Sequence, residues 1–158
     1  MHHINRRVFL IQSSLATGVV AASSVVADDA SPKPERIKAA QIGPQHEHAA
    51  GKLKTVRNLS SLYEVVGVVE PDDKQWEQVR NVEAYKGLPR LSESELFAEK
   101  TLKVVVVETD VRELVSTALR CVQHGKHIHL DKPAGESMAD YIELRKESDT
   151  RGVAVQMG

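Results

Sequence analysis

The stretch QIGPQHEHAAGKL, residues 41–53, is the most informative part of the chain, because it joins a short apolar run to a segment with helical spacing. A parallel α/β protein that binds a dinucleotide keeps its phosphate loop, G-x-G-x-x-G, at such a junction. Gly43 fits the first glycine and permits a tight turn, whereas Gln45 and His48 occupy the second and third glycine positions. The loop is therefore either a modified nucleotide loop or plain turn chemistry.

Strand-like and helix-like segments alternate on both sides of this loop. Apolar, β-branched runs predict strands at RIKAAQI, YEVVGVV, KVVVV and HIHL, with AY as a further short strand, and the segments between them have helical spacing. The near-continuous run KVVVV, residues 103–107, is typical of the centre of a parallel sheet. The pattern predicts an α/β fold, a doubly wound parallel sheet, over residues 36–158. In the helix after the loop, the expected buried face consists of Ala49, Leu53, Val56 and Leu59.

Glu70 ends the second predicted strand and so lies at the carboxyl edge of the sheet, where such folds bind their ligands. An acidic residue there accepts hydrogen bonds from adenosine ribose hydroxyls and repels a 2′-phosphate, which favours NAD over NADP. Lys74 lies nearby and could pair with Glu70, which leaves NADP open as the cofactor. A solvated strand-end carboxylate is the alternative interpretation.

The tripeptide Asp131-Lys132-Pro133 follows the strand HIHL at the same edge. Pro133 stiffens the backbone and disfavours helix at Lys132. A cation at this place can orient a substrate hydroxyl, or act as an acid or base if burial lowers its pKa. The alternative is an ordinary lysine in a surface turn.

The chain has two H-x-H pairs, His46 with His48 and His127 with His129, which raises the question of a metal site. Cys121 is the single cysteine, and the carboxylates show no metal-ligand spacing. We therefore expect solvated or hydrogen-bonded histidines at the mouth of the site and no metal.

The amino-terminal segment differs from the rest of the chain. NRRVFL, residues 5–10, precedes a mildly apolar stretch without charge that runs to Ala27. This is typical of a twin-arginine export signal over residues 1–27, followed by a flexible leader over residues 28–35, and it predicts a periplasmic or exported protein with no stable membrane span after signal removal. An uncleaved anchor or a chance arginine pair are the alternatives. The net charge of −1 gives no indication of nucleic-acid binding.

Five segments of the chain follow one another in the order of a known pattern, and these are IGPQH, VVGVVEPD, VVVVETD, CVQHGKHIHL and DKP. From about residue 37 to residue 158 the chain resembles the amino-terminal Rossmann domain of the Gfo/Idh/MocA family of NAD(P)-dependent oxidoreductases. The resemblance implies hydride transfer between NAD(P) and a hydroxyl of a carbohydrate-like substrate, in a protein that forms homo-oligomers at full length. It implies Lys132 as the catalytic residue and cofactor contacts at Gly43, Gln45, His46, Glu70, Thr109, Asp131, Lys132 and Pro133.

Some positions depart from the family pattern. Asp131 replaces a glutamate, Asp110-Val111 replaces Pro-Asn, and Leu114 stands where a histidine is frequent. Family members continue into an α+β substrate domain, so we expect this chain to be truncated before that domain and inactive alone. The alternatives are a non-catalytic nucleotide- or sugar-binding module that kept the fold and, more distantly, a flavodoxin-like or sugar-binding exported protein with a coincidental loop.

Overall fold

The computed structural model describes residues 34–158. The predicted export signal over residues 1–27 and most of the predicted leader lie outside the described residues, and Pro34 and Glu35 are exposed without regular secondary structure. The strands are β1 (Ile37–Ile42), β2 (Tyr63–Val69), β3 (Arg90–Leu91), β4 (Leu102–Val107), β5 (His127–Leu130) and β6 (Val155–Met157). The helices are α1 (Ala49–Asn58), α2 (Asp73–Val79), α3 (Glu93–Ala98), α4 (Val111–Gln123) and α5 (Met138–Arg151).

The six strands form one parallel sheet in the order β3-β2-β1-β4-β5-β6. The chain runs outward from β1 to β3, returns to the other side of β1 with β4, and then runs outward again. The predicted doubly wound α/β fold is therefore confirmed. The strand order reverses between β1 and β4, and in such sheets a ligand crevice opens at this point, outside the carboxyl ends of the strands.

Two apolar clusters cover the two faces of the sheet. The larger packs α4 and α5 onto the centre of the sheet, and its buried residues include Val105, Leu114 and Leu144. The smaller lies on the other side, where Leu53 of α1 packs with Val68 and Tyr85. The near-continuous apolar sequence of β4 reflects burial on both faces.

Helix starts follow local capping signals in the sequence. The Ser92 hydroxyl accepts the Glu95 N–H while the Glu95 carboxylate accepts the Ser92 N–H, a capping box that begins α3. Asp110 caps α4 through the Arg112 N–H, and Ser137 caps α5. These caps fix where α4 and α5 begin relative to the carboxyl edge of the sheet.

Two local expectations were wrong. Tyr85 and its neighbour Ala84 form a buried turn and not a strand, because their side chains fill the smaller core while Arg90–Leu91 pairs with β2. Leu59 is 45% exposed because α1 ends at Asn58.

Within residues 34–158, no helix has both the length and the apolar character that crossing a bilayer requires.

Candidate functional site

The turn after β1 lies directly against the end of β4. Gly43 has φ +80, and a Cβ atom built there would lie 2.8 Å from the Thr109 Cα. Backbone hydrogen bonds hold the turn, since the Gly43 N–H donates to the Val69 carbonyl at 2.9 Å and the His46 N–H to the Glu108 carbonyl at 3.2 Å. A side chain at position 43 is therefore excluded both by conformation and by space.

Gln45, at the position of the second loop glycine, reaches the end of β2. Its side-chain amide donates to Glu70 Oε2 at 3.0 Å, and the Asp72 N–H donates to Glu70 Oε1 at 2.8 Å. The Glu70 side chain is buried, and burial raises its pKa more strongly than the Asp72 hydrogen bond lowers it. The pairing of Lys74 with Glu70 that the sequence allowed is not formed, and the Glu70 carboxylate accepts hydrogen bonds from the Gln45 amide and the Asp72 N–H instead.

A cavity of about 440 Å³ opens where the strand order reverses. This volume lies in the range of small-molecule sites, roughly 300–1,000 Å³. Four residues predicted to bind a cofactor line it, and these are Gly43, Gln45, Glu70 and Thr109. The phosphate turn and the strand-end carboxylate therefore belong to one site.

Two arginines that the sequence analysis missed also line this cavity. Arg90 donates from Nε to the Glu70 carbonyl at 2.7 Å and from Nη1 to Asp73 Oδ1 at 2.6 Å. Arg120 pairs with Glu93 at 2.6 Å. Arg90 lies on a strand of two residues, which is too short to show a periodic pattern. Arg120 is a charged residue in the last turn of α4, and the sequence pattern of that helix does not distinguish it from an ordinary surface arginine.

A second group of polar side chains surrounds the Asp131 carboxylate at the end of β5. Lys52 Nζ lies 2.6 Å from Asp131 Oδ1, His48 Nδ1 lies 3.1 Å from Oδ2, and His46 Nδ1 also contacts Oδ2. Burial alone would raise the pKa of Asp131, but hydrogen bonds from Lys52, the Lys132 backbone and His48 hold it well below its usual range. Asp131 is therefore ionised at neutral pH.

Glu108, at the end of β4, is the second carboxylate of this group and is fully buried. Burial raises the pKa of Glu108 to about 7. The nearby ammonium of Lys52 lowers this pKa, and the Asp131 carboxylate raises it further. Lys52 Nζ lies 3.2 Å from Glu108 Oε1, yet neither carboxylate oxygen has a hydrogen-bond partner within the described part of the chain. Lys52 and Glu108 were not among the predicted site residues.

Lys132 and Pro133 lie just beyond this group and are exposed, and the peptide bond between them is cis. The Lys132 N–H donates to Asp131 Oδ1 at 2.8 Å, which fixes the backbone at the start of the loop. The structure thus places the predicted catalytic lysine at the carboxyl edge of β5, outside the lining of the cavity.

The positions that depart from the family pattern have structural roles in this chain. Leu114 is fully buried in the larger core, so it cannot reach a bound ligand, and Asp110 caps α4. In the other H-x-H pair, His129 lies near the Asp131 group, since the charges of Lys52 and Asp131 both act on its pKa. His127 Nδ1 accepts the Ala154 N–H at 2.9 Å, and burial lowers the pKa of half-buried His129.

Comparison with protein families gives a match to the Gfo/Idh/MocA model, described as an oxidoreductase family with an NAD-binding Rossmann fold, over residues 37–158. No curated protein matches the chain significantly. Many solved structures share the fold, and they include GenD2 from gentamicin A biosynthesis in complex with NAD, which is 20% identical with a TM-score of 0.69 and is matched over 80% of this chain and 35% of its own.

Two further solved structures are similar. The WlbA dehydrogenase from Chromobacterium violaceum, in complex with NADH and UDP-GlcNAcA, is 17% identical with a TM-score of 0.69, over 79% of this chain and 35% of that one. A myo-inositol 2-dehydrogenase from Lactobacillus plantarum is 15% identical with a TM-score of 0.65, over 78% and 36%. The chain spans about a third of the length of the solved structures that it matches.

Proposed function

This chain belongs to the Gfo/Idh/MocA family of oxidoreductases with an NAD-binding Rossmann fold, and we propose that it forms the nucleotide-binding part of an exported dehydrogenase acting on a hydroxyl group of a sugar or polyol. The substrate class is supported by two structural neighbours, a dehydrogenase in complex with UDP-GlcNAcA and a myo-inositol 2-dehydrogenase. Export is supported by the sequence NRRVFL and the uncharged stretch after it. NAD is the cofactor of the family, and NADP remains the alternative for this chain.

The observation that carries the proposal is the cavity between the turn after β1 and the end of β2. Gly43 lets the turn pack closely against Thr109 at the end of β4. The turn leads into the N-terminus of α1, and a helix N-terminus attracts phosphate. The buried Glu70 carboxylate lies at the strand end where an acidic residue accepts ribose hydroxyls. These residues fit a dinucleotide, with the pyrophosphate near Gly43 and the adenosine ribose near Glu70.

The nicotinamide of bound NAD supplies the hydride acceptor or donor. The protein's own part in the chemistry is to orient the substrate hydroxyl and to handle its proton. We assign this role to Nζ of Lys132, which lies at the carboxyl edge of β5 on a backbone anchored by the Asp131 carboxylate.

The test uses the complete protein that carries this domain, incubated with NAD and a panel of sugars and polyols while nicotinamide absorbance is recorded. We expect Lys132→Ala to abolish turnover and to leave the dissociation constant for NAD within about twofold of the wild-type value. Lys103→Ala is the matched control, because Lys103 is an exposed lysine near the amino end of β4. Turnover near the wild-type rate in Lys132→Ala would show that the assigned role is wrong.

Two observations favour a second candidate function, a binding module without turnover. The Gln45 amide occupies Glu70 Oε2, and Leu114 is buried where the family often has a histidine near the nicotinamide. Such a module would bind NAD and give no absorbance change with any substrate of the panel, whereas a dehydrogenase would change the absorbance with at least one.

A further inference from the structure

Two histidines and a carboxylate from distant parts of the chain converge at the edge of the sheet. One ligand atom each of His46, His48 and Asp131 lie within 4.8 Å of one another. The histidines belong to the turn after β1, whereas Asp131 follows β5, more than 80 residues later in the chain. The fold therefore assembles a donor set of two imidazoles and one carboxylate that the spacing in the sequence does not reveal.

The three donors lie close enough together to contact one metal ion. With metal–ligand bonds of about 2.0–2.2 Å, the donors of a tetrahedral zinc site lie about 3.3–3.6 Å apart. His48 Nδ1 lies 3.1 Å from Asp131 Oδ2, and His46 Nδ1 contacts the same oxygen. All three donors lie within 4.8 Å of one another and so are within reach of a single cation.

Glu108 provides an independent observation that points to a cation. Its side chain is fully buried, and neither carboxylate oxygen has a hydrogen-bond partner among residues 34–158. Glu108 Oε2 lies 4.0 Å from His46 Nδ1, on the side of the cluster. Buried polar atoms without partners are rare because they are costly, and a cation bound beside His46 would satisfy this oxygen.

Lys52 holds the two carboxylates from the other side. Its ammonium lies 2.6 Å from Asp131 Oδ1 and 3.2 Å from Glu108 Oε1, which leaves Oδ2 and Oε2 toward the histidines. Carboxylates that bind a metal are in turn held by hydrogen bonds from a surrounding layer of groups. Lys52 has the place and the charge of such a supporting group.

We propose that His46, His48, Asp131 and Glu108 form a site for one divalent transition-metal ion of the zinc type. Imidazole and carboxylate donors suit such ions, and the single thiol, Cys121, is buried in the larger core. The His46 and His48 side chains are 12% and 37% exposed, so the ion reaches the site from solvent. The ion joins the turn after β1 to the loop that carries Lys132. This proposal does not depend on the identity of the substrate.

The test titrates ZnCl₂ into chelator-treated full-length chain by isothermal titration calorimetry. All proteins compared carry His2→Ala and His3→Ala, so that the histidine pair near the amino terminus does not contribute. We expect one Zn²⁺ per chain with micromolar or tighter affinity, and a loss of at least tenfold in His46→Ala and in His48→Ala. The control His124→Asn should bind as the parent does, because His124 lies at the end of α4 and contacts the Arg120 carbonyl.

A second measurement needs no substitution in the site. Co²⁺ added to the same protein should give the visible absorption bands of a four-coordinate nitrogen and oxygen site, and Zn²⁺ should displace them in stoichiometric amount. No binding below millimolar Zn²⁺, an unchanged affinity in folded His46→Ala and His48→Ala proteins, or the absence of cobalt bands would each overturn the proposal.

Discussion

Replacing Gln45 with glycine is expected to tighten NAD binding. In the structure the Gln45 amide lies 3.0 Å from Glu70 Oε2 and so occupies an oxygen that would accept the adenosine ribose. NAD must displace this amide before the ribose hydroxyls can bind. The side chain also stands where the second loop glycine would let the pyrophosphate approach the backbone.

The size of the effect follows from the hydrogen bond that is lost. A hydrogen bond to a charged acceptor contributes about 1.5–3 kcal/mol, and the exposure of Gln45 places this one at the lower end. A difference of about 1.4 kcal/mol corresponds to a factor of about ten in affinity. We therefore expect the dissociation constant for NAD to fall by about tenfold in Gln45→Gly.

The assay is calorimetric titration of NAD into the wild-type chain, Gln45→Gly and Gln45→Ala. The alanine variant removes the amide without the extra backbone freedom of glycine, so it separates competition for Glu70 from flexibility of the turn. Both variants should bind more tightly. Weaker binding in both would refute the reasoning, because it would mean that the amide itself contacts the cofactor.

Three further predictions concern the fold. Gly43→Ala should lower the free energy of unfolding in urea by about 2 kcal/mol or more, from the positive φ and the clash with the end of β4, whereas the helical control Gly51→Ala, with open space around it, should raise it by about 0.5–1 kcal/mol. Hydrogen bonds from the Thr101 hydroxyl and N–H hold the pKa of Glu99 at about 2, below its ordinary value of 4.5. The stabilisation from these hydrogen bonds is therefore complete above pH 4.5 and is lost as the pH falls through about 2. NMR titration should show this pKa, and Thr101→Val should raise it. Burial raises the pKa of Cys121 to about 12, so Ellman's reagent should react with this thiol only after unfolding, and rapid reaction of the folded chain would contradict its burial.

Local signals in the sequence were sufficient for most of the fold. The apolar run KVVVV predicted a central strand because β4 is covered on both faces. The start of α3 is likewise encoded locally, because the capping box of Ser92 and Glu95 involves only neighbouring residues. Strand β3 was not predicted, because two residues are too few to show the alternating pattern of a strand. Its position depends on pairing with β2, which is a property of the tertiary structure.

The candidate site was likewise predictable in part from the sequence. Gly43 and Glu70 were predicted because each lies at the carboxyl end of a strand that the sequence itself marks. The hydrogen bond between Gln45 and Glu70, and the convergence of His46 and His48 on Asp131, join segments that are far apart in the chain. Their distances depend on the order of the strands in the sheet, so the spacing of residues in the sequence could not reveal them.

The most direct test of the account is a calorimetric comparison of NAD and NADP on the wild-type chain, Glu70→Ala and Glu64→Ala. Glu64 is the matched control, because it is a strand carboxylate of β2 that pairs with Arg36 at the surface. The account predicts one NAD per chain, weaker binding of NADP, and loss of that preference in Glu70→Ala alone. Absence of NAD binding, or a preference that survives in Glu70→Ala, would contradict the assignment of the cavity between Gly43 and Glu70 as the dinucleotide site.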